Sequence, residues 1–163
     1  MYHKNRILSL PEVKPLVEKL RQQRKRIATT NGCFDLLHPG HIAILKETWS
    51  HGDVVIVGLN SDRSVRLSKG DQRPILSQKE RAEMLLTLPW VHYVVIFNQK
   101  DSIPFVDAIK PDFHINDSGY GYDCIERETV EKNGGRLIIV PKVKCKSTTD
   151  MINIILKKCK YCK

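Results

Sequence analysis

Ala28-Thr29-Thr30-Asn31-Gly32-Cys33-Phe34-Asp35-Leu36-Leu37-His38-Pro39-Gly40-His41 is the stretch on which the reading of this chain turns. Its lead-in is apolar and β-branched as far as Thr30 and reads as a buried strand. A polar turn follows, and Ile42-Ala43-Ile44-Leu45-Lys46 then begins a helix. His38 and His41 therefore sit where a strand gives way to a helix. Such a junction presents unpaired backbone N–H groups and the positive end of a helix dipole, a natural seat for phosphate. Pro39 belongs in the opening turn, where its missing N–H costs nothing.

Outward from this junction, strands and helices alternate. Val13, Leu16, Val17 and Leu20 recur at helical spacing, which predicts a helix over 11–24 that packs on a sheet. The first strand covers 27–30, and the helix after the histidines covers 39–50, closed by Gly52 as a C-cap. Asp53-Val54-Val55-Ile56-Val57-Gly58-Leu59-Asn60 is a continuous apolar run, the mark of a strand buried on both faces. Ser61-Asp62 caps a short helix, and a polar loop follows over 68–74. Ser77 and Glu80 are spaced as a capping box for a helix to Leu88. Further strands are expected at 91–97, 113–116 and 137–140, and further helices at 103–109, 124–132 and 147–158. The pattern is a parallel α/β sheet of five strands with helices on both faces. In such sheets ligands bind at the carboxyl ends of strands, and Asn31, Asp35, Asn60, Asp62, Asn116 and Asp117 all fall there.

The chain has 163 residues, 41% hydrophobic and 28% charged, which suits a single domain over 1–163 with a real core, about 16–156, and a basic tail at 157–163. No apolar run approaches the ~20 residues of a membrane span. The start shows no signal-peptide pattern, so the expected location is the cytoplasm, and five scattered cysteines agree. The net charge of +9 suits either a nucleic-acid surface or a pocket for polyanionic small molecules. Its two clusters, 21–26 and 157–163, lack the interleaved aromatics that stack bases, which argues against nucleic acid as well as a membrane as partner.

His38 and His41 share a helical face and could donate hydrogen bonds to a phosphate at the helix start, with Gly40 letting a ligand approach the backbone. They could equally be capping histidines. Ser147-Thr148-Thr149-Asp150 opens the last helix, with Lys144 and Lys146 upstream. Hydroxyls and N–H groups there make a second phosphate seat, although capping alone accounts for Ser147 and Asp150. Two helix starts on one side of one sheet suit a triphosphate.

At this point the sequence resembles a known family. His-x-Gly-His after a strand, with Ser-Thr-Thr at a late helix start, is similar to the nucleotidyltransferase superfamily that includes glycerol-3-phosphate cytidylyltransferase. Within it, the stretches 30–38, 58–65, Lys69-Gly70 with Arg73-Pro74, 81–85 and 147–149 resemble the adenylyltransferase domain of ADP-heptose synthase, over about 16–156. The resemblance implies a Rossmann-like three-layer sandwich. It implies transfer of a nucleotidyl group from a triphosphate, ATP, with Mg²⁺ bridged through the triphosphate and no resident metal site, to a sugar 1-phosphate such as a heptose 1-phosphate. It also implies a homodimer or higher homo-oligomer. By the same pattern His38, His41 and Lys69 would be catalytic. Asn31, Gly32, Cys33, Phe34, Gly40, Asn60, Asp62, Arg81, Ser147, Thr148 and Thr149 would bind nucleotide. Asp35, Lys69, Arg73, Asn116, Asp117 and Ser118 would face the acceptor.

One departure stands out. The heptose enzymes carry a Lys-Gly-Gly-Asp turn after the fourth strand, expected here at 113–116, and here the place reads His114-Ile115-Asn116-Asp117-Ser118-Gly119-Tyr120-Gly121. Replacing a cation by a carboxylate predicts that Asn116 and Asp117 touch sugar hydroxyls while Lys69 and the helix starts handle charge. Cys159-Lys160-Tyr161-Cys162 is a C-x-x-C without the further ligands a structural zinc needs. Cys33 reads as a packing residue, since the nearby histidines are already assigned. Two other readings stay open: a cytidylyltransferase acting on an alcohol phosphate, and a non-catalytic nucleotide- or RNA-binding module.

Overall fold

A computed structural model describes residues 4–119, 121 and 123–159. Six parallel strands form one sheet: β1 (Ile7–Ser9), β2 (Ile27–Gly32), β3 (Val54–Asn60), β4 (Tyr93–Phe97), β5 (Phe113–Asp117) and β6 (Arg136–Val140). The helices are α1 (Leu10–Gln22), α2 (Pro39–His51), α3 (Asp62–Lys69), α4 (Gln78–Leu86), α5 (Ile103–Ile109), α6 (Arg127–Lys132) and α7 (Thr148–Cys159). The expected five strands are thus six. The addition, β1, is a three-residue edge strand paired only with β4. It is too short to show a period, and it is anchored by Arg6, whose guanidinium donates to the Val91 and His92 carbonyls.

The three layers follow from β3. Its Val54 and Ile56 join a core with Val13, Val17 and Leu20 of α1 and with Phe105 and Ile109 of α5. Its Val55, Val57 and Leu59 turn the other way, onto Leu45 of α2 and Leu85 of α4. A strand buried on both faces needs apolar residues throughout, which is why the run showed no alternation. Gly52 is the C-cap of α2 as expected, with an extended φ of −133°. Glycine is needed there because a Cβ would lie 2.7 Å from that of Ala28.

The strand order is β1-β4-β3-β2-β5-β6. The chain therefore winds outward from β2 through β3 to β4, then returns to place β5 on the other side of β2. At this reversal the pairing of β2 with β5 covers only Ala28 with Phe113 and Thr29 with His114. Beyond Thr29, β2 stays with β3 to Gly32, while β5 stays with β6 to Asp117. The sheet parts at its switch point, where open α/β sheets hold their ligands. No described helix is long and apolar enough to cross a membrane.

Candidate active site

A cleft of about 370 Å³ opens at that parting. The ends of β2 and β5, the starts of α2 and α7, and the segment between α3 and α4 converge on it. Of the residues singled out from sequence, Asn31, Gly32, Cys33, Phe34, Asp35, His38, Gly40, His41, Lys69, Arg73, Asn116, Asp117, Ser147, Thr148 and Thr149 line it, whereas Asn60, Asp62, Arg81 and Ser118 do not.

His38 is the N-cap of α2, but its ring makes no cap hydrogen bond. It stacks on His41 with ring centroids 3.7 Å apart. Phe34, at a left-handed φ of 44°, is buried and leans on the other side of His41 at 5.0 Å. Burial and the neighbouring His38 push His41 down to about 3, although Asp35 pulls the other way. Burial and the charge of Lys142 also lower His38, against Asp117. Both rings are neutral at pH 7, so they act as hydrogen-bonding groups and the resident positive charge comes from Lys69, Arg73 and Lys142. Gly40 lines the cleft, and a Cβ there would meet the His38 imidazole at 3.0 Å and Cys145 Sγ at 3.3 Å. It makes room for the catalytic-looking ring.

The start of α7 has the expected acidic capping box. Ser147 N and Oγ both donate to Asp150 Oδ2, and Asp150 N donates back to Ser147 Oγ at 3.2 Å. Thr148 is buried and donates to the Leu36 carbonyl at 3.1 Å, tying α7 to the histidine loop. Thr149 is exposed at the cleft.

Five of the residues singled out from sequence are engaged within the protein itself. Arg81 does not reach toward ligand: it is fully buried and donates to the carbonyls of Leu76, Cys33 and Asn60 and to Asp62 Oδ1. Asn60 and Asp62 are correspondingly partners of that strut, and Asn60 Nδ2 further donates to Ser64 Oγ. Asp35, 1% exposed, is spent on structure too. Its carboxylate accepts from Arg73 Nε at 2.7 Å and from the N–H groups of Ile75 and Leu76, pinning the loop that carries Arg73. Burial would raise this carboxyl, but those donors outweigh it and hold it below the usual range. Ser118 Oγ accepts from Lys142 N, and Ser118 N donates to the Val140 carbonyl, so this residue ties two loops rather than facing the acceptor.

That tie exposes what the sequence reading missed. Lys142, not Lys144 or Lys146, lines the cleft. The three lie on an irregular loop with a bend at Cys145, so spacing does not tell which one faces inward. Cys145 also lines the cleft, its Sγ 3.7 Å from His38 Nδ1. Cys33 is half-buried at the cleft, and burial pushes its thiol up, against the pull of Lys69, Arg81 and Arg73. Tyr120, Tyr122 and Cys162 lie outside the described residues, so the tyrosine turn and the C-x-x-C lie only partly within them.

The family model described as Cytidylyltransferase-like matches residues 29–158. Bifunctional protein HldE of Geobacter sulfurreducens is 39% identical over 153 residues, covering 93% of this chain and 31% of that protein. The same-named protein of Pelobacter propionicus is 43% identical over 146 residues, 88% of this chain and 30% of the other. The chain thus spans under a third of the length of these relatives. Among solved structures, the lipopolysaccharide core biosynthesis protein of Thermoplasma volcanium is 27% identical with a TM-score of 0.58, covering 75% of this chain and 99% of its own. Pantoate-β-alanine ligase of Francisella tularensis, at 16% identity, TM-score 0.61 and coverage of 93% and 77%, shares the fold.

Proposed function

The chain belongs to the cytidylyltransferase-like family of nucleotidyltransferases, and on that premise we propose that it moves AMP from ATP onto a sugar 1-phosphate such as D-glycero-D-manno-heptose 1-phosphate, releasing pyrophosphate. The observation that carries this reading is the convergence of two helix N-termini, α2 with its paired histidines and α7 with Ser147 to Thr149, on one cleft at the sheet's switch point that Lys69, Arg73 and Lys142 also line. The likeness to HldE and to a lipopolysaccharide core biosynthesis protein supports an activated sugar as product.

A sugar phosphate is already an anionic nucleophile near pH 7, so the site needs no strong base. One of its oxygens attacks the α-phosphorus as the bond to pyrophosphate breaks. The protein must hold two mutually repelling polyanions in line and offset charge that develops on the α-phosphate and the leaving group. In this reading the α7 start and Thr149 hold the β- and γ-phosphates. His38 and His41 donate to the reacting phosphate, and Lys69 and Arg73 draw the two substrates together. Among the described residues no three His, Cys, Asp or Glu side chains converge on a metal-sized site. In this reading Mg²⁺ enters on the triphosphate's own oxygens, as it commonly does. When bound it would screen phosphate charge. Assembly as a dimer or higher belongs to the same reading and is measured by light scattering.

The test is pyrophosphate release across ATP, CTP and GTP paired with heptose 1-phosphate, other sugar 1-phosphates and glycerol 3-phosphate. ATP with a sugar 1-phosphate is the expected pair. CTP with glycerol 3-phosphate would replace this reading with the alcohol-phosphate one. Nucleotide binding without pyrophosphate from any pair would leave a binding module.

A further inference from the structure

Beneath the β5 side of the cleft lies a polar cluster that the transfer chemistry leaves unused. Glu126, at the N-cap position of α6, is a carboxylate only 4% exposed. Its Oε1 accepts from the hydroxyl of Ser102, the N-cap residue of α5. Its Oε2 accepts from Asn116 Nδ2 at 3.4 Å. The same Asn116 nitrogen donates to Cys124 Sγ at 3.4 Å. Burial alone would raise the Glu126 carboxyl, but the Ser102 hydroxyl and its other donors outweigh it and keep it charged.

The chemistry of these groups fixes the direction of the amide. A carboxylate only accepts hydrogen bonds, so it can face only the nitrogen of Asn116. An amide nitrogen has two N–H groups, and Glu126 and Cys124 between them engage both. Asn116 is 3% exposed and lines the cleft. The polar atom it has left for a ligand is Oδ1, an acceptor. Its neighbour Asp117 also lines the cleft and is likewise acceptor-only, with Oδ1 taking the Gly119 N–H at 2.7 Å. Two adjacent acceptors repel phosphate oxygens and attract O–H donors.

We propose that Glu126 is a positioning residue for the acceptor half of the cleft: by engaging the Asn116 amide nitrogen it presents only the amide oxygen, and the ligand group seated on Asn116 is a hydroxyl of the sugar, not its phosphate. This rests on the sugar-phosphate reading above. It divides the cleft into a hydroxyl-reading face on β5 and donor-rich faces at the α2 and α7 starts.

Two measurements on the full chain test it. In ¹⁵N-labelled wild type the Asn116 side-chain NH₂ exchanges with water far more slowly than that of exposed Asn98, and Glu126→Gln abolishes the difference, since a glutamine can offer either its oxygen or its nitrogen. In steady-state kinetics Glu126→Gln raises KM for the acceptor roughly tenfold, the scale of losing one hydrogen bond, with kcat and nucleotide KM unchanged. Asn116→Ala gives the same rise, and the double variant is no worse than Asn116→Ala alone, because Glu126 acts only through Asn116. Exchange at Asn116 as fast as at Asn98 in wild type overturns the amide direction. An unchanged acceptor KM, an equal rise in nucleotide KM, or additive single effects overturn the positioning role. If Glu126→Gln fails to fold, wild-type exchange decides the amide direction. The KM of Asn116→Ala for singly deoxygenated sugar phosphates then decides the ligand: the variant must lose wild type's discrimination at one hydroxyl. Absence of turnover by wild type with every sugar phosphate would fail the transfer reading and the hydroxyl assignment with it, while exchange still reports on Glu126 and Asn116.

Discussion

Arg81→Met removes a cation that sequence reasoning put on the nucleotide and the structure puts inside the protein. The guanidinium donates from Nε to the Leu76 carbonyl at 3.0 Å, from Nη1 to the carbonyls of Cys33 at 2.5 Å and Asn60 at 2.9 Å, and from Nη2 to Asp62 Oδ1 at 2.8 Å. It thereby joins the turn before His38, the end of β3, the start of α3 and the approach to α4. A methionine fills most of the volume and satisfies none of these acceptors. Each buried carbonyl left without a donor costs ~1–3 kcal/mol, and breaking a buried ion pair by removing one partner costs ~3–5 kcal/mol. Asp62 is 26% exposed and regains water, so the pair adds little and the low end of the cost of three stranded carbonyls applies. A loss of ~3–5 kcal/mol is expected, a large part of a total near 5–15 kcal/mol. For a chain of this size that lowers Tm by about 6–20 °C. Thermal and urea melts give the loss, and calorimetry with ATP well below the variant's Tm gives the affinity. Folded Arg81→Met should bind ATP within about threefold of wild type, since no ligand contact has gone. A Tm within about 2 °C of wild type together with a tenfold or greater loss of ATP affinity would refute the reasoning and return Arg81 to the nucleotide.

Other consequences are as direct. His41→Ala should lower kcat by ~10²-fold or more while nucleotide Kd changes much less, on the scale of losing one preorganised donor; near-normal kcat would leave it a capping residue. Ser147→Ala should cost ~1 kcal/mol through the lost capping box and should also shrink the Tm rise given by ATP more than that given by AMP; equal shrinkage would leave capping alone. Acid should destabilise the fold early. His41 and fully buried His114 are held at about 3 and about 4 by burial, below their unfolded value near 6.5. The unfolded chain therefore takes up protons first, and stability present above pH 6.5 is lost as pH falls toward 4, at up to ~1.4 kcal/mol per unit per histidine. Urea midpoints that stay flat from pH 7 to 5 would contradict the burial of these rings. Lys142→Ala should raise KM for an anionic substrate severalfold and raise the pKa of His38, visible in its ¹H–¹⁵N ring shifts; an unmoved His38 would place Lys142 out of its range.

The divide between what could and could not be read from the sequence follows the reach of the interactions. Capping boxes at Ser77 and Ser147, Pro39 at the first turn and the two-faced burial of β3 depend on residues within one turn or one strand of each other, and all were legible. The edge strand β1 was not, because three residues carry no period and their partner, β4, lies more than 80 positions away. Side-chain direction was hardest. Arg81 and Asp35 carry the charge of ligand-binding residues and sit at the right ends of strands or on the right helix, yet the pairs Arg81–Asp62 and Asp35–Arg73 satisfy each other across 19 and 38 positions.

Those internal pairs also explain how the cleft keeps a positive field. A cluster of unpartnered cations beside the α2 and α7 helix starts would repel itself before any triphosphate arrived. Here Arg81 is neutralised by Asp62 inside the fold, and Arg73 is held at its Nε by Asp35 with the rest of its fork unspent on that pair. The histidines, both held below their usual range, add no charge of their own near pH 7. The charge that remains to face the cleft, on Lys69, Lys142 and the outer edge of Arg73, is carried by long side chains that can move to meet a ligand. Removing the buried partner should therefore be worse than removing the exposed cation. Asp35→Asn frees Arg73 and unpins Ile75 and Leu76, and it should both lower Tm and raise acceptor KM, whereas Lys69→Ala should slow transfer while leaving Tm close to that of wild type. The reverse order in Tm would mean that the Asp35 carboxylate is not what fixes the loop.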